Sequence, residues 1–230
     1  MVPWSCLHQG HYPIAVRLFY ESFLSSLHID HMIGQTKAQH EAKYGQDHNN
    51  CHIFATVDHL NAIIEFYGPT HKKKEGYLWN ALMTIENRIV TGEVDSFGGV
   101  MHLPLHWVFI VIDFQKLKIL YGDSLGHQMP KHKYQAGEQW ISHLVKQSKK
   151  LAVGGGIDLG QISTGQQLDG ASCGLFALNS VAHYYLQSLL LLSDPIALAC
   201  HRMEIALDII STMMVCRFCP IHNEITHNIL

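Results

Sequence analysis

A polar turn that leads directly into an apolar run, over residues 166–178, constrains the fold of this chain more than any other stretch. The turn from Gln166 to Ser172 contains an Asp-Gly pair, and Cys173 is the first residue of the run that follows. This pattern predicts a buried helix that begins at a thiol. Because the unpaired amides and the dipole of a helix N-terminus favour a thiolate, Cys173 is a candidate nucleophile, with a small core residue as the alternative.

Composition and charge limit the class of protein. A chain of 230 residues can form one large domain without disulfide support. Because 47% of its residues are hydrophobic and only 15% are charged, the composition excludes a disordered chain. The net charge of -3 gives no argument for a nucleic-acid or membrane partner, and neither a membrane-spanning segment nor a secretory signal is visible. Six cysteines without a regular framework fit a reducing compartment. We therefore expect a soluble, monomeric, intracellular protein, nuclear or cytoplasmic.

Hydrophobic periodicity predicts the secondary structure. Four segments have apolar residues at helical spacing: 58–67, 77–90, 140–145 and 196–214. Four others read as strands: 100–105, 107–114, 118–121 and 157–162. The strand 107–114 is apolar on both faces, which is typical of a central strand, and a hairpin turn at Gln115-Lys116 follows it. This order predicts an α+β domain with a central, mostly antiparallel sheet between helices, and we expect the Met and Leu stripe of 196–214 to be core.

The two ends of the chain carry weaker patterns. We predict an N-terminal lead-in of uncertain order over residues 1–45, with a helix after Pro13, a folded domain over 46–215 and a C-terminal tail over 216–230. The start of this tail holds three potential metal ligands at zinc-like spacing: Cys216, Cys219 and His222. Because no second ligand pair accompanies them, reduced thiols are favoured over zinc. The 18 histidines are scattered, so no metal or cofactor is predicted.

Two strand ends supply partners for a nucleophilic Cys173. His106 begins the predicted central strand, and Asp123 ends the next one. Neighbouring strands joined by a short hairpin place their opposite ends side by side, so these two side chains can meet. A nucleophile, a base and a residue that orients the base form the minimum set for covalent acyl transfer. The presence of all three favours catalysis over a core cysteine.

Three blocks of this region resemble the Ulp/sentrin-type cysteine proteases, which remove SUMO and related ubiquitin-like modifiers. They occur in the order found in that family: His106-Trp107, Gly122-Asp-Ser-Leu125 and Gln167-Leu-Asp-Gly-Ala-Ser-Cys173-Gly174. The resemblance implies a papain-like fold in which His106 is the general base, Asp123 its orienting acid and Cys173 the nucleophile. It also implies that Gln167 and the Cys173 amide bind the oxyanion, and Gln166 could replace Gln167 if the turn shifts by one residue.

The resemblance also implies a substrate. A protease of this family cleaves after the Gly-Gly tail of a ubiquitin-like modifier, either from a conjugate or from a precursor. Trp107 would help to enclose that tail in a narrow tunnel, and Phe54 would replace the family's second tunnel tryptophan. Together with Ala55 and Val57, Phe54 departs from the family's opening block, which puts substrate affinity in question, and Ser172 replaces an Asp that often precedes the nucleophile.

Two other functions remain open. The block Gly122-Asp-Ser-Leu125 also matches the nucleophile block of a serine esterase family, but the Asp-x-x-His that such enzymes need does not follow Ser124. A protein that binds a ubiquitin-like modifier without cleaving it is the second alternative, motivated by the altered opening block. The intact set of Cys173, His106, Asp123 and Gln167 favours a protease over both.

Overall fold

The computed structural model describes residues 24–46, 51–69, 72–151, 156–187, 191–192 and 195–217. The helix predicted after Pro13 and the tail residues Cys219 and His222 lie outside these ranges, and the side chain of Cys216 is not described. The chain divides into two compact units. One comprises residues 24–192, and the other comprises both ends of the chain, of which the structure describes one helix.

Eleven helices and strands are described, in the order α1 (Ser26–Tyr44), β1 (His52–Ala55), α2 (Val57–Tyr67), α3 (Tyr77–Val90), β2 (Ser96–Leu103), β3 (His106–Asp113), β4 (Lys118–Gly122), α4 (Lys131–Gln147), β5 (Asp158–Gln161), α5 (Cys173–Leu186) and α6 (Pro195–Arg217). The four predicted helices and four predicted strands are confirmed, with shifts at their ends. Among the described helices, none combines the length and the apolar character needed to cross a bilayer.

The sheet has the strand order β1-β2-β3-β4-β5. The central pairs β2-β3 and β3-β4 are antiparallel, as predicted, whereas the outer pairs β1-β2 and β4-β5 are parallel. Seven residues of β3 are buried, which fits its position at the centre of the sheet. Because β3 pairs with β4 in antiparallel register, the start of β3 and the end of β4 lie at the same edge of the sheet.

Helices pack on both faces of this sheet. Ile110 and Ile112 of β3 join a core cluster that contains Trp140 of α4 and residues of α2 and α3. Phe109, directly before Ile110 in sequence, packs on Tyr184 of α5 with the ring centroids 6.0 Å apart. Since successive side chains of a strand point to opposite faces, α5 covers the face opposite to α2, α3 and α4. The α+β class predicted from the sequence is confirmed.

Helix α1 occupies the part of the chain whose order the sequence left open. Its buried face consists of Ile29, Ile33, Thr36 and His40, and the helix packs against α5 and β1. Two of these four residues are polar, so hydrophobic spacing does not mark the face that is buried. The helix starts at a capping box, in which the Ser25 and His28 side chains each bond the other residue's backbone.

The described part of α6 corrects one prediction. Ile196, Met203 and Leu207 of the predicted core stripe are 76%, 54% and 55% exposed, so their predicted burial is wrong. Ile205 and Ala206 are buried instead. An apolar period identifies a helix, but it does not by itself identify the side of the helix that the protein covers.

Candidate active site

The predicted base and acid meet at one edge of the sheet. His106 is the first residue of β3 and Asp123 directly follows β4, and the His106 Nε2 atom lies 2.8 Å from Asp123 Oδ1. The carboxylate also accepts a hydrogen bond from the Leu125 amide at 2.7 Å and one from the Tyr121 hydroxyl at 3.2 Å. Burial raises the pKa of Asp123, but the bonds from His106 and Leu125 outweigh burial and hold that pKa below its ordinary value. Asp123 is therefore an ionised, fixed acceptor for His106 Nε2.

A tight turn places His106 at this edge. Leu103 and His106 are paired across the two-residue connection of Pro104 and Leu105 between β2 and β3. Leu105 has φ 58, the left-handed region, and its residue surface is 84% exposed. Proline followed by a residue of positive φ is the pattern of a type II turn, which reverses the chain direction within four residues. The turn therefore leaves His106 as the first paired residue of β3.

Cys173 lies near His106. It is the first residue of α5, as predicted, and its interaction with the imidazole is one of the causes of the raised pKa of His106. Because His106 Nε2 is bonded to Asp123, Nδ1 is the ring nitrogen that remains for the sulfur. The bonds to Asp123 and then to Cys173 raise the pKa of His106 to about 9, against an opposing effect of burial. At neutral pH the imidazolium is thus the favoured form, next to a sulfur at a helix N-terminus.

The chain beyond β5 brings Gln167 to the same place. The Ile162 amide donates to the Tyr121 carbonyl and the Gln167 amide donates to the Ser124 carbonyl, each at 2.9 Å, so this segment follows β4 to its end. Gly122 makes the close approach feasible, because a Cβ at this position would lie 2.6 Å from Thr164 Cγ2. The segment thereby delivers the turn before Cys173 to the edge that carries His106 and Asp123.

The Gln167 side chain is buried and held at both ends. Its Oε1 accepts a hydrogen bond from Ser124 Oγ at 2.9 Å, and its Nε2 donates to the Asp169 carbonyl at 2.7 Å. Ser124 is also buried and directs its hydroxyl proton to an amide oxygen, which cannot act as a base. This arrangement gives no support to the serine esterase alternative, in which Ser124 would need an activating base.

Asp169 is a site residue that the sequence interpretation missed. Its carboxylate accepts hydrogen bonds from the Ala171 amide at 2.9 Å, the Ser172 amide at 2.7 Å and the Ser172 hydroxyl, and Gln167 Nε2 lies 3.2 Å from it. Burial raises the pKa of Asp169, but these donors outweigh burial and lower it overall. An Asp-Gly pair that precedes a Ser by three residues is a signal for this kind of turn. Asp169 thus connects Gln167 to the residue before Cys173.

Replacing Asp169 with alanine is expected to lower kcat by about 10²-fold, because Gln167 and the turn before Cys173 would lose their common anchor. A smaller change in KM is expected, since the role inferred for Asp169 is to position Gln167 and the turn, not to bind the substrate. Asp169→Asn should recover part of the loss, because its amide oxygen can still accept from the backbone amides. Steady-state kinetics with thermal melting will test this, and Asp158→Ala, an exposed aspartate, is the control. Equal kcat for folded Asp169→Ala and the wild type would contradict the positioning role.

The two predicted substrate-binding residues lie in different places. Trp107 is 5% exposed, and its Nε1 donates to the Leu24 carbonyl at 2.9 Å. Leu24 also adjoins the start of α5, since a Cβ on Gly174 would lie 3.1 Å from Leu24 Cδ1. Trp107 and Leu24 therefore lie beside Gly174, the residue that follows Cys173.

Phe54 lies at the far end of α5 from Cys173. Its ring centroid is 4.5 Å from that of Tyr185 and 5.5 Å from that of His40. Tyr185 is near the C-terminus of α5, which at the helical rise per residue is about 18 Å along the axis from Cys173. The structure therefore does not bring Phe54 together with the other predicted site residues, and it packs in an aromatic cluster instead.

The site combines a thiol at the N-terminus of a buried helix with a nearby histidine that is hydrogen-bonded to an aspartate, at the edge of a central sheet. This is the arrangement of a papain-like cysteine protease. The model of the Ulp1 protease family, C-terminal catalytic domain, matches residues 22–190. This chain belongs to the Ulp1 protease family.

Solved structures share the fold. The crystal structure of a de-sumoylating protease superposes with a TM-score of 0.64 at 11% identity, covering 88% of this chain and 87% of that chain. The Ulp1-like SUMO protease catalytic domain of Chaetomium thermophilum superposes with a TM-score of 0.59 at 17% identity, covering 80% of this chain and 70% of that chain. A sequence comparison with curated proteins finds no match.

Proposed function

We propose that this protease hydrolyses the peptide or isopeptide bond after the Gly-Gly tail of a SUMO-like modifier, with Cys173 as nucleophile, His106 as general base and acid, and Asp123 as the residue that orients His106. The observation that carries the proposal is the 2.8 Å contact of His106 Nε2 with Asp123, together with the interaction of Cys173 that helps to raise the pKa of the same imidazole. Two solved structures with the same fold, a de-sumoylating protease and a SUMO protease catalytic domain, support the choice of modifier.

The proposed reaction follows from this line of groups. The Cys173 thiolate attacks the carbonyl carbon of the last glycine, and the carbonyl electron pair moves onto oxygen. As that pair returns, the bond to the leaving amine breaks and the His106 imidazolium gives the amine its Nδ1 proton. Water then attacks the thioester, with neutral His106 taking its proton, and the modifier leaves with a free carboxylate. Asp123 keeps the Nε2 proton in place throughout.

Gln167 and the Cys173 backbone amide are the proposed donors to the oxyanion. An amide group carries two N–H bonds, and the shorter contact of Gln167 Nε2, 2.7 Å to the Asp169 carbonyl, accounts for one of them. The other contact, 3.2 Å to the Asp169 carboxylate, is longer and can be exchanged for a substrate oxygen. The amide at the start of α5 lacks a partner within its own helix, which suits it to the same task.

The burial of the nucleophile supports a selectivity for glycine. Cys173 is only 1% exposed, so little room leads to the sulfur. A residue with a Cβ needs more width than glycine, and exclusion of larger residues is a source of specificity. Trp107, which contacts Leu24 beside the start of α5, is the proposed wall for the tail.

We also propose that the enzyme works in a reducing compartment, the nucleus or the cytoplasm. Within the described residues, Cys51, Cys173 and Cys200 form no disulfide. A nucleophilic thiol has to remain reduced, which such a compartment ensures.

The pH dependence of turnover should show the protonation state of His106. Because Asp123 and Cys173 raise its pKa to about 9, the imidazolium that protonates the leaving amine persists through neutral pH and is lost as the pH passes that value. We expect the alkaline limb of kcat/KM to lie near this pKa, measured on a Gly-Gly amide substrate. An alkaline limb at the ordinary histidine value near 6.5 would contradict the proposed contacts.

The proposed function is tested with a panel of C-terminal Gly-Gly amide fluorophores built on SUMO-type modifiers, ubiquitin and a bare Gly-Gly peptide. Turnover of a SUMO-type substrate well above the peptide is expected, because the modifier body contributes binding that the peptide lacks. Tight binding of a modifier without release of the fluorophore would instead support the non-catalytic alternative.

A further inference from the structure

A second imidazole reaches the orienting carboxylate. His127, in the loop after β4, places its Nδ1 atom 3.5 Å from Asp123 Oδ2, and its ring centroid is 6.0 Å from that of His106. One ligand-type atom from each of His106, Asp123 and His127 falls within 4.8 Å of the others. The His127 side chain is 67% exposed, whereas those of Asp123 and His106 are 1% and 11% exposed. The proposed catalytic pair is thus buried, and His127 lies between it and the solvent-exposed surface.

The separations suit a zinc ion. Zinc binds histidine nitrogen and carboxylate oxygen at about 2.0 to 2.2 Å in tetrahedral geometry, which places neighbouring ligand atoms about 3.3 Å apart. The observed distances are 2.8 Å from His106 Nε2 to Asp123 Oδ1 and 3.5 Å from His127 Nδ1 to Asp123 Oδ2, and one ligand atom from each of the three residues lies within 4.8 Å of the others, so small shifts bring the set to that spacing. The exposed His127 can rotate to complete the set, with water as the fourth ligand.

We propose that His106 Nε2, the Asp123 carboxylate and His127 Nδ1 form a zinc site that inhibits the protease. Its inhibitory effect rests on the proposed function, whereas zinc binding itself does not. Each zinc ion that binds displaces one proton, the one on His106 Nε2, into solvent, because a ligating nitrogen must be deprotonated. With zinc on Nε2, His106 cannot become the imidazolium that protonates the leaving amine. Zinc therefore takes the place of the proton on which the proposed catalytic cycle depends.

The alternative target for zinc is the Cys173 thiolate, as zinc binds thiolates directly. His127 distinguishes the two sites, because it contacts Asp123 and lies on the side of His106 opposite to the sulfur. If zinc inhibits by binding the thiolate, loss of His127 should leave the inhibitory zinc concentration unchanged. If zinc inhibits at the proposed site, loss of His127 should raise that concentration.

The first experiment measures the zinc concentration that halves turnover of a Gly-Gly amide substrate, in a buffer that does not chelate metals. Wild type, His127→Ala and His132→Ala are compared, and each is normalised to its own rate without zinc. His132 is an exposed histidine near by in sequence and serves as the matched control. His127→Ala should raise the half-inhibitory concentration about tenfold or more, with His132→Ala unchanged. Equal values for wild type and His127→Ala would overturn the proposal.

The second experiment does not depend on activity. Zinc chloride is titrated into Cys173→Ala and into the double variant Cys173→Ala/His127→Ala by calorimetry, so that the thiolate is absent from both. Any zinc held at Cys216 and Cys219 contributes equally to the two titrations. One zinc equivalent should be lost, or weakened about tenfold or more, in the double variant. Identical isotherms for the two variants would overturn the zinc site even if the protease is active. If Cys173→Ala binds one zinc ion that the double variant does not, but zinc does not slow wild-type turnover, the inhibitory role would be overturned.

Discussion

Replacing Cys173 with alanine is expected to lower turnover of a Gly-Gly amide substrate by roughly 10⁴-fold or more. In the proposed mechanism the Cys173 sulfur forms the covalent intermediate, and the remaining groups cannot substitute for it. The replacement removes one buried atom from the start of α5, so a modest loss of stability is expected and the fold should persist. Binding of the intact modifier should be retained, which separates loss of chemistry from loss of recognition.

Two other cysteines that form no disulfide, Cys200 and Cys51, provide the controls. Cys200 is exposed and Cys51 is partly exposed, and both are more accessible than Cys173. Alanine variants of these two residues should keep wild-type kinetics. Turnover by a folded Cys173→Ala variant, at more than a few per cent of the wild-type rate, would refute the nucleophile assignment.

Replacing Asp123 with asparagine is expected to lower kcat by roughly 10⁴-fold, the size of effect found when the orienting acid of a catalytic triad loses its charge. The asparagine oxygen can still accept from the Leu125 amide and the Tyr121 hydroxyl, so the loop should keep its shape. The charge that holds the proton on His106 Nε2 would be absent. The His106 pKa should fall for the same reason, because Asp123 is the main cause of its elevation.

Two measurements check this prediction. Single-turnover kinetics should show a slow acylation step, and the alkaline limb of the pH profile should move to lower pH than in the wild type. Ser124→Ala is the neighbouring control, since it removes one hydrogen bond to Gln167 and leaves Asp123 intact, and it should cost far less activity. A folded Asp123→Asn variant within tenfold of the wild-type rate would contradict the role of Asp123.

The sequence predicted those parts of the site that depend on local pattern. The polar turn and the apolar run around Cys173 are contiguous, so the start of α5 follows from helix rules alone. His106 and Asp123 flank a hairpin, whose short connection leaves one way for the two strand ends to meet. Their 2.8 Å contact therefore depends on this hairpin and not on distant parts of the chain.

The remaining features depend on contacts that no local pattern encodes. Helix α1 is stabilised by packing on α5 and β1, with a partly polar buried face. Phe54 is an aromatic residue in a short parallel edge strand, and its position opposite Gly98 decides that it packs on Tyr185 and not near Cys173. The role of Asp169 depends on how the turn folds back on itself, because its partners include Gln167 on one side and Ser172 on the other.

Covalent capture by a SUMO-type modifier that ends in a Gly-Gly vinyl sulfone tests the central claim most directly. Intact mass and peptide mapping of the full chain should show one adduct, on Cys173, that forms slowly in Asp123→Asn and is absent from Cys173→Ala. An adduct on Cys51 or Cys200, or equal labelling after Cys173 is replaced, would contradict the assignment of Cys173 as the nucleophile of this protease.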